Sequence, residues 1–190
     1  MQLRATIAAT MLLLLCGRAQ GQIFGKQAHE PDAFRQLTEV RALPKALDPA
    51  FEIRKTKLFF LGDVPGVGNR VGGFVRGGPR DPAVGFESSY RLYGAVTALD
   101  SRRRFGNYFD FFWRGQRPGT ITVRLEYRQQ NLRAFTQARE VTYPSAKGSH
   151  RTTFAVRGDD YFSDGRVLSW RCLLIENGRI VAEERSYLWR

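Results

Sequence analysis

The chain has 190 residues, enough for one ordinary domain with appendages. Its 43% hydrophobic and 13% aromatic content excludes a disordered chain, and 14 Phe, 7 Tyr and 19 Gly lean it toward the β class. The formal net charge of +12 favours anionic partners: phosphate-rich envelope polymers, acidic polysaccharide, anionic lipid head groups or nucleic acid.

Residues 1–21 read as a signal peptide. Arg4 supplies the positive start, Ala5 to Cys16 is an apolar run of suitable length, and Ala19 and Gly21 offer small residues for cleavage. The sequence therefore predicts export to a periplasmic or extracellular space, with lipid attachment at Cys16 as a lesser alternative. Removal of the signal leaves Cys172 as the one thiol, so no internal disulfide is expected and the fold must stand on its packing.

Residues 22–85 read as a lead-in. Glu30 to Val40 carries Phe34, Leu37 and Val40 at helical spacing, so a short helix is predicted there, and Phe51 to Leu61 reads as a strand. Gly62 to Gly85 is rich in Gly and Pro and reads as a long loop. Gly66, Gly68 and Gly72 resemble a nucleotide-binding loop only superficially. No Lys-Ser/Thr pair follows, and Pro79 and Pro82 are expected to forbid the required helix.

Residues 86–190 read as one domain of seven short strands: Ser89–Thr97, Asn107–Arg114, Thr120–Arg128, Phe135–Tyr143, His150–Arg157, Arg166–Ile175 and Arg179–Trp189. Turn chemistry separates them at Arg117-Pro118-Gly119, Pro144 to Gly148 and Ser163-Asp164-Gly165. The pattern predicts an all-β protein, an immunoglobulin-like antiparallel β-sandwich of about seven strands. Asn177-Gly178 marks the final hairpin. A three-residue turn is preferred there, because pairing Leu174 with Ile180 and Cys172 with Ala182 would gather the apolar residues on one face.

Chemistry is harder to find. His29, His150 and Cys172 are far apart, and the acidic run Asp159 to Asp164 matches a calcium loop at only a few positions, so no metal or cofactor is expected. No nucleophile elbow is present, and His150 reads as an ordinary strand residue. Asp110, Glu126, Glu140 and Glu183 read as cross-strand partners of arginines rather than as a catalytic pair. Phe109, Phe111 and Trp113 read as a core face, which makes nucleic acid an unfavoured partner.

The candidate anion-binding residues are Arg102, Arg103 and Arg104, a basic run before the first aromatic strand. The expected function is a non-catalytic binding or assembly module of the cell envelope, with an enzyme whose site is assembled from dispersed residues as a lesser alternative. Either another envelope protein adds a strand to the C-terminal edge, or an anionic polymer binds the basic surface.

Overall fold

The computed structural model describes residues 34–62 and 82–189. The expected signal peptide with Cys16, His29, and most of the Gly/Pro-rich segment (63–81) lie outside the described residues. In chain order the elements are β1 (Arg35–Leu37), β2 (Phe51–Leu61), α1 (Pro82–Leu92), α2 (Ala98–Arg102), β3 (Gly106–Gln129), β4 (Thr136–Arg157), α3 (Asp159–Asp164), β5 (Val167–Glu176) and β6 (Arg179–Arg185). All strand pairs between these elements are antiparallel, in the order β1-β4-β3-β5-β6, with β2 added to the first half of β3. The chain is all-β, as its aromatic and alternating segments predict.

The strand count differs from the expectation for a physical reason. Asn107–Arg114 and Thr120–Arg128 are halves of β3, and Phe135–Tyr143 and His150–Arg157 fall largely in the two halves of β4. The turn signals between those halves lie opposite one another. Gly115 pairs with Gly148 and Gly119 with Ala146, with Pro118 in the unpaired bulge between them, where its missing N–H costs no ladder bond. Two signals that would each reverse a lone strand instead bend a two-stranded ribbon together.

The bend folds the sheet back on itself. Trp170 of β5 pairs with Tyr127 in the second half of β3, yet its ring lies 5.5 Å from that of Phe111 and 6.1 Å from that of Phe109, both in the first half. Odd-numbered residues of β3 keep one face through the bend, so Phe109, Phe111, Trp113, Ile121, Val123, Leu125 and Tyr127 form one buried core with Phe154 and Cys172.

Three further expectations are corrected. The helix predicted around Glu30–Val40 gives way, in its described part, to strand β1, because the outer edge of β4 at Ala138–Glu140 takes a partner there and the Phe34 ring packs on Phe154. The strand predicted at Ser89–Thr97 is the end of α1, a turn, and the cap of α2. Pro82 begins α1 rather than forbidding it, since the first helical position needs no N–H donor.

The final hairpin turns on Asn177 and Gly178 alone, both at positive φ (50° and 74°), so Ile175 pairs with Ile180. A bulge at Val181 then resets the register, and Leu174 meets Ala182. The preferred three-residue turn is thus wrong. It undervalued the other face, where Leu173, Ile175 and Ile180 form their own cluster with Leu43. The segment carrying Leu43 also covers part of the expected open edge: Ala46 N donates to the Ile180 carbonyl at 2.9 Å and Asp48 N to that of Val181 at 3.0 Å.

Candidate anion-binding cleft

The three candidate arginines share a short stretch of chain and go three ways. A capping box sets α2: Thr97 Oγ1 accepts from Asp100 N at 3.0 Å, and Asp100 Oδ2 accepts from Thr97 N at 3.0 Å. The bond from the Thr97 backbone, with a further one from its side chain, holds the Asp100 carboxyl below its usual range. Arg102, at the end of α2, lays its guanidinium over the Phe162 ring at 4.1 Å. Arg104 turns back and caps α1, donating to the Arg91 carbonyl at 2.9 Å and to the Tyr93 carbonyl. Arg103 remains exposed and lines a cleft.

That cleft has a volume of about 300 Å³ and is lined by Phe34, Arg103, Arg139, Ala155, Arg157, Gly158 and Asp160. Its described lining holds three arginines and one aspartate. Arg139 is only 3% exposed, because it sits on the inward-facing side of β4 with Val141. Its guanidinium stacks on the Phe34 ring at 4.3 Å, and its Nε donates to Gln36 Oε1 at 2.9 Å. Its two terminal nitrogens donate to the Ala155 carbonyl, in the opposite half of the same strand, and to the Asp160 carboxylate. Arg139 therefore cements the doubled ribbon and fixes one wall of the cleft.

Arg157 closes β4 and also acts on Tyr108. Burial pushes the Tyr108 phenol up, and the positive charges of Arg157 and Arg91 oppose that shift. Gly158 N donates to the Phe105 carbonyl at 2.9 Å, which holds the start of α3 beside the end of α2 and brings Arg103 to the cleft. Asp160, with 55% of its side chain exposed, is the one acidic group among the described residues of the lining.

Of the predicted residues only Arg103 enters this cleft. Arg139 and Arg157 were not singled out, although Arg139 carried a readable signal: a charged residue in phase with Val141 and Tyr143 on the apolar side of a strand. Such a residue must find buried partners or line a cavity.

The other groups weighed for chemistry are placed as follows. Asp110 accepts from Thr153 Oγ1 at 2.6 Å and from Arg151 at 2.9 Å. Glu140, Glu126 and Glu183 belong to a ladder of charges crossing the sheet from Arg35 to Lys45, through Arg124 and Arg171. His150 is half-buried, stacked on Trp113 at 4.5 Å. Cys172 is fully buried, and burial pushes its thiol well above the usual range, which removes the nucleophilic thiolate at neutral pH. Among the described residues, no three His, Cys, Asp or Glu side chains cluster as metal ligands would. In comparison with known proteins, the chain matches no family model, no curated protein and no solved structure.

Proposed function

We propose that the protein is an exported binding module of the cell envelope, taking an anionic group of its ligand into the cleft between Arg103, Arg139 and Arg157. The folded-back sheet then serves as an immunoglobulin-like sandwich would, as a stiff frame presenting a site at one end. The observation that carries this reading is a cleft whose described lining holds three arginines and one aspartate, with one of the arginines buried and held by Gln36, Ala155 and Asp160. A pre-fixed wall limits the entropy lost on binding, and the exposed Arg103 supplies a charge-assisted contact. The ligand class is an acidic polysaccharide or a phosphate-bearing envelope polymer.

The test is equilibrium binding to dextran sulfate against neutral dextran across a salt series. Binding only to the sulfated polymer is expected, weakening steeply from low to moderate salt. Arg103→Glu should weaken it by roughly tenfold or more, the loss of at least one charge-assisted contact. Binding that ignores both salt and Arg103→Glu would remove the reading.

A second reading is assembly by strand addition, now at a different edge. Among the described residues β2 pairs on one side only, which leaves an edge that a partner strand could extend. A partner strand there would protect the outward amides of Glu52–Leu61 from hydrogen exchange, and unchanged exchange in a captured complex would reject it.

A further inference from the structure

Helix α1 docks on the sheet by one face and shows aromatic rings on the other. Arg91 stacks over Tyr108 at 4.0 Å and over Phe59 at 5.4 Å, and Leu92 packs against the small cluster that Leu61, Tyr108 and Ala155 form. At 3.6 residues per turn, Phe86, Tyr90 and Tyr93 form a stripe on the opposite side. They are 71%, 68% and 84% exposed, and Val96 and Leu99 continue the apolar surface into α2. Phe86 and Tyr90 stack on each other at 6.5 Å. Exposed apolar residues grouped in this way mark an interaction surface.

The described charges around the stripe are positive on balance, Arg91, Arg102, Arg103 and Arg104 against Glu87 and Asp100. Leu99, Arg102 and Arg103 share one side of α2, and the Arg104 guanidinium is fastened to the carbonyls of Arg91 and Tyr93 at the end of the stripe. The nearby acids are engaged: Glu87 pairs with Arg91 at 2.6 Å, and Asp100 caps α2. A convex helix with outward aromatic rings, two of them tipped with hydroxyls, beside a basic run fits the interface of an anionic bilayer. Rings enter the head-group layer there while arginines stay at its charged surface.

We infer that α1 and α2 seat the protein on an anionic lipid surface through Phe86, Tyr90 and Tyr93. This rests on the stripe and not on the cleft, so either can fail alone.

The apolar run near the N-terminus can hold the full chain on a vesicle by itself, so the test reads the stripe locally. The native Trp113, Trp170 and Trp189 are all buried, which leaves a tryptophan introduced by Phe86→Trp or Tyr90→Trp as an exposed reporter. With vesicles of phosphatidylcholine and phosphatidylglycerol, both reporters should shift to the blue and be quenched by brominated lipid, and added salt should weaken the effect. Vesicles of phosphatidylcholine alone should give little change, and a Tyr187→Trp reporter, at an exposed position outside the stripe, should give none. Reporters that stay in water with anionic vesicles, or respond equally to neutral ones, would overturn the inference. A shift that instead follows protein concentration without vesicles would assign the stripe to a second copy of the chain and overturn it equally.

Discussion

Gly115 stands directly opposite Gly148, and the ribbon of β3 and β4 folds at that pair. Gly148 has φ of +82°, and a Cβ there would meet nothing within 4 Å. Gly148→Ala should therefore cost about 1 kcal/mol, from backbone strain alone. Gly115→Ala acts differently, because its Cβ would press on the Phe51 ring at 3.1 Å and on two carbonyl oxygens at 3.3 and 3.4 Å. Urea midpoints of both variants check this, and an unchanged midpoint for Gly148→Ala would contradict the strained bend.

The same pair shows what the sequence could tell. The halves of β3 and β4 were legible because apolar residues alternate cleanly on each side of the bend. Their union was not, because Arg117-Pro118-Gly119 and Pro144–Gly148 carry the same residues whether a chain reverses or a paired ribbon bends. Only the pairing partner distinguishes the two outcomes. The β1 segment suits a helix in sequence for a similar reason, since Phe34 and Leu37 keep a helical period until the edge of β4 pairs with the segment. At the site, Arg103 was legible as part of a basic run, but Arg104 and Arg103 look alike in sequence. One caps a helix and the other lines the cleft.

The Arg171 guanidinium donates to Glu126 Oε2 at 2.7 Å, and Glu126 is 1% exposed. Arg171→Ala leaves this carboxylate with only the more distant Arg124, 3.8 Å away. The expected loss is about 3 kcal/mol by chemical denaturation. Replacing both, Arg171→Leu with Glu126→Leu, should cost less than Arg171→Ala alone, because no buried charge is stranded. A larger loss in the double variant would contradict this account of the ladder.

Burial raises the phenols of Tyr108, Tyr127 and Tyr143 above their ordinary value. Above about pH 10 the unfolded chain therefore releases these protons first, so stability should fall as pH rises past that point. The carboxyls of Asp48 and Asp100 are lowered, chiefly by backbone hydrogen bonds from Ala50 and Thr97. Their contribution is present above about pH 4 and is lost on further acidification. Unfolding midpoints across pH should fall at both ends, and Tyr127→Phe should flatten the alkaline limb. An alkaline limb unchanged in Tyr127→Phe would assign the loss to other groups.

Cys172 is enclosed by the core, with its thiol held protonated. In a Cys16→Ser background, a thiol reagent should leave the native protein unmodified for as long as it stays folded, and label it promptly in denaturant. Prompt labelling of the native protein would show that β5 is not the closed centre of the fold.

Anion binding is proposed to belong to the cleft and not to a diffuse basic surface. It is tested most directly by comparing Arg103→Gln with Arg179→Gln, two variants of equal net charge, in binding to dextran sulfate at one salt concentration. Arg179 is exposed at the tip of the final hairpin and absent from the cleft lining. The account predicts a roughly tenfold loss for Arg103→Gln and little change for Arg179→Gln, with both proteins melting like the parent. Equal losses in the two variants would contradict it.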